Sequence, residues 1–254
     1  MRNMTQFVIV LKKKTIVLQI LNVTNIFPLK QENTIRQQVN QHQRNSSDTE
    51  EQQLKTYGLT RRCAFNVLRN FHACISFPVD LMHDLFEGVI AQDLLAGIRI
   101  LIVKRWFSLD DYNKTLRRFK YKSHEVNDKP QQVPKKGSKL PGKACSLWVH
   151  ARNFPILVRH FVHDKNDEVL AFLLLLTEIT SRLTALEFRE HEVLEVEKLI
   201  IEYLDRRHDL FERYPRFLGS PKPKHHFLTH YGQAIRFFGP LLAYWTARFE
   251  SKHR

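Results

Sequence analysis

The chain has 254 residues, 43% hydrophobic and 26% charged; it has enough apolar side chain to bury one large core or two modest ones, and too much for disorder throughout. Its three cysteines, Cys63, Cys74 and Cys145, are odd in number, widely spaced and without a CxxC pair, which argues against a disulfide framework or a thiolate zinc knuckle and suits a reducing compartment. A formal charge of +14 favours a polyanionic partner, nucleic acid first, with a solvated basic surface as the plain alternative.

Residues 7 to 28 alternate or cluster β-branched and large apolar residues around the triplet Lys12, Lys13, Lys14, a pattern that predicts a short β-hairpin or strand pair. The triplet interrupts the apolar runs and no small-residue cleavage site follows them, so the segment is not expected to be a secretion signal. Residues 29 to 56, rich in Gln, Asn and Ser and poor in apolar side chains, predict a linker or a solvated helix. The longest later apolar run, "VLAFLLLLT" from Val169, is far short of the ~20 residues that cross a bilayer, so no membrane span is expected.

From Tyr57 to the end the pattern turns helical and is expected to form one mainly α domain. Apolar residues at helical spacing predict a helix over 80–106, with Asp80 as N-cap and Pro78 discouraging an earlier start. A basic amphipathic helix is expected over 109–120, followed by the loop "NDKPQQVPKKGSKLPGK", dense in Pro, Gly and Lys. Helices over 143–163, 167–186 and 190–212 follow. "GSPKPKHH" then breaks the pattern before two short helices, 225–237 and 240–253. Charge is uneven along this domain: residues 104 to 143 hold twelve Lys or Arg against four acids, residues 213 to 254 eight against one, and residues 187 to 212 four against nine. The basic zones mark Lys135, Lys136, Lys139, Lys143, Arg248 and Lys252 as candidate DNA contacts.

Three constellations carry possible chemistry. In "PVDLMHDLFEGV", Asp80, His83, Asp84 and Glu87 fall on one stripe of a helix; Asp80 caps and the others face water, or the stripe holds a ligand. In "KPKHHFLTHYG", His226 and His230 share an i, i+4 face with His225 at the start, the spacing of a zinc pair or a chance run of imidazoles. In "WTARFESKHR", Glu250 lies among Arg248, Lys252 and Arg254, either as a salt-bridged surface acid or as a carboxylate holding a divalent cation beside a polyanion. Trp106, Trp148 and Trp245 are expected as core or interface aromatics, and His150, His160 and His163 as solvent or capping histidines.

Taken in order, "FHACISFPVDLMHDLFEGVI", "FKYKSHEVNDKP", "GKACSLW" and "PKHHFLTHYGQAIRFFGPLLAYWTARFESKHR" resemble the C-terminal half of the transposases of CACTA (EnSpm-like) DNA transposons of animal genomes, from about Tyr57 to the last residue. Such transposases are similar to the group with an RNase H-like core, where three carboxylates hold two divalent metal ions and a helical insertion precedes the last catalytic helix. The resemblance implies that Asp80 and His83 match an Asp-x-x-His signature, that His225 and His230 match a His pair before the last helix, and that Glu250 matches that helix's glutamate. It further implies a structural zinc ion held by His83, His225 and His230 with Asp80 as fourth ligand or cap, and a nuclear location.

The chain departs from the family's pattern upstream. Before Asp80 its acids are Glu32, Asp48, Glu50 and Glu51, all in the polar stretch, where no strand would hold the first two catalytic aspartates. Two-metal catalysis, with magnesium as its ion, is therefore not expected, and Glu250 is read as a vestigial third acid. The expectation is an insertion-type helical remnant with an incomplete catalytic core, inactive as a nuclease, binding DNA without sequence preference and taking no small-molecule substrate. The alternatives are a DDE-type nuclease or strand-transferase completed by another chain, and an interaction module whose acidic helix 187–212 docks a basic partner or a second copy.

Overall fold

The computed structural model describes residues 68–69 and 78–247, together with two short strands near the N-terminus. The chain divides into two compact units, Met1–Pro78 and Val79–Arg254. In the first, β1 (Phe7–Val8) pairs antiparallel with β2 (Gln19–Ile20), Phe7 opposite Ile20. A ladder two residues long does not bear out the expected hairpin.

The second unit is helical, as expected. A π-helical segment, Met82–Ile90, runs directly into α1 (Ala91–Val103); α2 (Leu109–Arg118), α3 (Ala144–Val158), α4 (Glu168–Leu183) and α5 (Glu190–Arg213) follow. The chain closes with short pieces: α6 (Pro215–Leu218), α7 (Pro223–Phe227), a 3₁₀ turn at Leu228–His230, and α8 (Tyr231–Phe238). The helix expected over 225–237 is therefore broken at 228–230, and the one expected over 240–253 begins as a 3₁₀ turn at Leu241–Ala243.

α1 is apolar on nearly every side, as a helix buried all round must be. Leu94, Leu95, Ile98 and Leu101 are all buried. Gly97 lets α4 approach: a Cβ there would lie 2.5 Å from a Leu173 methyl carbon. α4 starts at Asp167, whose carboxylate accepts from the amides of Val169 (2.9 Å) and Leu170 (3.0 Å) and pairs with Lys104. α3 carries Pro155 in its interior, which deprives the Ala151 carbonyl of its usual i+4 donor. The Thr177 hydroxyl of α4 donates to that carbonyl at 3.1 Å instead, so the helix runs on and gains a tie to its neighbour.

Aromatic rings close the other side of the core. Phe86, Trp148 and Trp245 meet with ring centroids 5.7 to 6.1 Å apart, joining the π-helical segment, α3 and the C-terminal segment. Trp106 and Trp245 are buried and Trp148 half-buried, the core role expected of them. His150 overturns its expectation as a solvent histidine: it is buried on α3, its Nε2 2.9 Å from the Tyr112 hydroxyl of α2, and burial pushes it down to about 3. His160 and His163 do lie at the surface. Among the described residues, no helix is long and apolar enough to cross a membrane.

Candidate nucleic-acid surface and the histidine segments

Asp80 ends the extended segment before the π-helical turns and works as a cap. Its Oδ1 accepts from the Met82 amide at 3.2 Å, and it also accepts from the Thr246 amide (3.2 Å) and hydroxyl (2.6 Å). His83 Nδ1 meets the Asp80 carboxylate. Burial alone would raise the Asp80 carboxyl; the Thr246 hydroxyl, His83 and the two amides outweigh it and hold the group below the ordinary carboxylate range. Asp80 and His83 thus bond to each other, and the Asp80 carboxylate fastens the C-terminal segment at Thr246 to the head of the helix.

Asp84 does not face solvent as the helical stripe predicts. The wide π-helical turns carry it inward, where it is 8% exposed and accepts from the Asp80 amide at 3.2 Å. Burial raises its carboxyl. Nearby, the hydroxyls of Tyr231 and Tyr244 are buried without hydrogen-bond partners among the described residues. Lys224 crosses the same helix over Gly88, where a Cβ would lie 2.5 Å from its Cδ, and donates to the His83 carbonyl at 2.6 Å. The two histidine segments are therefore neighbours.

Their side chains nonetheless turn to different partners. His225 is 2% exposed; its Nδ1 accepts from the Lys222 amide at 3.1 Å, which leaves the proton on Nε2 to be donated to Asp93 Oδ2 at 3.0 Å. Asp93, fully buried on α1, also takes Arg207 Nε at 2.7 Å and Nη2 at 3.3 Å, and the Tyr203 hydroxyl. Burial would raise the Asp93 carboxyl, but His225 and Arg207 hold it below the usual range. Arg207 Nη2 reaches on to the Leu218 carbonyl at 3.1 Å. One buried carboxylate thus ties α1, α5, α6 and α7 together.

His230 lies 3.1 Å, Nε2 to Nε2, from His226, and burial followed by the neighbouring imidazole lowers it. Of the set that the resemblance implies for zinc, His83 meets Asp80, His225 meets Asp93 and His230 meets His226. Both ring nitrogens of His225 are engaged, and among the described residues no three His, Cys, Asp or Glu side chains group as metal ligands. Glu250, Arg248 and Lys252 lie outside the described residues.

The lysine loop is the most fully built of the candidate features. Asn113 of α2 treats Val133 as a strand partner, accepting its amide at 2.8 Å and donating to its carbonyl at 3.1 Å. Arg99 of α1 donates to the carbonyls of Pro134 (3.1 Å) and Gly137 (2.6 Å), and the Leu140 amide donates to the Ala91 carbonyl at 2.7 Å. Val133 and Leu140 are buried, while Lys135, Lys136, Lys139 and Lys143 all stand exposed between and beyond them. Ahead of the loop, Glu125 is 2% exposed and bonded to Arg152, Asn153 and the Lys122 amide. Burial would raise it, and those donors hold it down. Glu125 thus ties the "HEVNDKP" stretch to α3.

Sequence reasoning missed Asp93, Tyr203 and Arg207. A signal was present: Asp93 is the one charge between Val89 and Ile98 in the run "VIAQDLLAGI", and a lone acid in such a run needs a buried cation. No family model, curated protein or solved structure matches the chain.

Proposed function

We propose that this chain is a DNA-binding relic of a CACTA-like transposase, a helical insertion-type domain that grips duplex backbone and does not cut it. The pinned lysine loop carries the proposal. Four exposed ammonium groups stand on a segment whose backbone is held by Asn113, Arg99 and Ala91, so little ordering entropy is lost when phosphates dock. Ammonium groups meet phosphate as point charges and carry no base readout, which supports binding without sequence preference.

The acids of the helical unit support binding over cleavage. Asp93 and Glu125 are saturated with protein donors, and Asp80 is committed to His83, Thr246 and two amides. The test uses the full chain, a labelled duplex and supercoiled plasmid. Retarded duplex that is released when all four loop lysines become alanine, with no nicking in magnesium or manganese, is the expected result. Metal-dependent nicking abolished by Glu250→Ala would replace the proposal with the nuclease reading.

A further inference from the structure

α2 stands between two clefts that share one chemical character. On one side, a cleft of about 340 Å³ is lined by Lys114, Arg118, Phe119, Ile156, Arg159 and Phe161, and by His160 and Asp111. On the other, a cleft of about 660 Å³ is lined by Arg117, Tyr121, Lys129 and Gln131 among others. Arg117 and Arg118, adjacent at the end of α2, form the ridge between them.

The first cleft pairs cations with an apolar floor. Lys114, Arg118 and Arg159 are exposed and make no ion pair among the described residues. Ile156 is 47% exposed, and Phe119 and Phe161 are half-buried. The one acid lining the cleft, Asp111, accepts from the Ser108 hydroxyl at 2.6 Å and amide at 3.3 Å at the start of α2. Phe119 and Tyr121 stand edge to face, centroids 4.8 Å apart, one bordering each cleft.

Duplex DNA offers phosphates to such a surface but keeps its base faces stacked inside. A single strand offers both. Basic grooves interleaved with aromatic rings are how proteins hold unpaired nucleic acid, the backbone on the cations and the bases stacked on the rings. We infer that the two clefts across α2 form a track for single-stranded nucleic acid, with phosphates on Arg117, Arg118 and Arg159 and unpaired bases against Phe119 and Tyr121. This inference rests on the DNA-binding proposal and adds a second surface, for unpaired strand, beside the lysine loop.

The test is fluorescence anisotropy of the full chain against a labelled oligothymidylate of roughly twelve nucleotides and, in parallel, a labelled duplex. The variants are Arg118→Glu with Arg159→Glu, and Phe119→Leu, which keeps an apolar side chain and removes the ring. The charge reversal should weaken oligothymidylate binding at least about tenfold and duplex binding by no more than about threefold at physiological salt. Phe119→Leu should weaken oligothymidylate binding about fivefold or more and leave the duplex unaffected. Duplex binding without oligothymidylate binding, or an equal loss of both, overturns the track and leaves the lysine loop standing. Binding of neither overturns both. Tighter binding of a poly-glutamate peptide than of the oligothymidylate overturns the track in favour of an acidic protein partner.

Discussion

His225 donates to the Asp93 carboxylate at 3.0 Å across 132 positions of the chain. That bond decides what the first histidine of "KHHFLTH" is for. The carboxylate is bidentate to Arg207 and takes the Tyr203 hydroxyl as well, so the histidine completes a charge-matched junction in the core, carried there on the short helix that starts at Pro223.

Removing one side of this junction strands the other. Arg207→Met leaves Asp93 buried without its counter-charge and should cost about 3–5 kcal/mol, while Arg207→Met combined with Asp93→Asn should recover much of that loss. Urea unfolding of the three proteins measures it; a single variant within about 1 kcal/mol of the parent would contradict the assignment.

His150 gives a pH signature. In the folded chain burial pushes it down to about 3, whereas in the unfolded chain it takes up a proton below about 6.5. The unfolded state then binds more protons, so stability falls as pH drops from about 6.5 towards 3. The cost between pH 7 and pH 5 is about 2 kcal/mol. His150→Gln keeps a hydrogen-bonding group for Tyr112 and cannot charge, so its unfolding midpoint should fall less than the parent's over that interval. Parallel slopes would refute the buried neutral imidazole.

Asp84 should behave in the opposite sense. Burial raises its carboxyl in the fold, so the folded state binds the extra proton and stability contributed by this group falls as pH rises above the ordinary carboxylate range. Asp84→Asn retains an acceptor for the Asp80 amide and removes the buried charge. A higher melting temperature at neutral pH, with the advantage shrinking in acid, is the expected outcome; a lower one at neutral pH would show that Lys224 compensates the charge fully.

Asn113→Ala removes both bonds to the Val133 backbone and leaves a buried amide and carbonyl unpaired, at about 1–3 kcal/mol for each group. Cleavage at the loop lysines by limited trypsin treatment should accelerate, and duplex affinity should fall although no charge is lost. Unchanged proteolysis would show that Arg99 and the Leu140–Ala91 bond hold the loop without Asn113.

The helical domain was largely legible in the sequence because its signals are local. The helical spacing of apolar residues over 80–106, Asp80 as its cap and the Pro-Gly-Lys composition of 127–143 each act within one element. Two kinds of feature were not legible. Asp84 was misplaced because a period of 3.6 was applied where the chain winds as a π-helix, and no residue in "MHDLFEGVI" announces that change. The bond of His225 to Asp93 was not legible because Asp93, 132 positions away, is brought to it only by tertiary packing. The lysines of the loop were found by composition, but their anchoring by Asn113 and Arg99 depends on contacts 20 to 38 positions away.

The most direct test of the central claim is the salt dependence of duplex binding for the full chain and for the variant with Lys135, Lys136, Lys139 and Lys143 replaced by alanine. Each phosphate neutralised adds a slope of about 0.9 to log affinity against log salt. A steep parent slope that becomes shallower by about 3–4 in the variant is the result predicted. No duplex binding at low salt, or a slope unchanged by the substitutions, would contradict it.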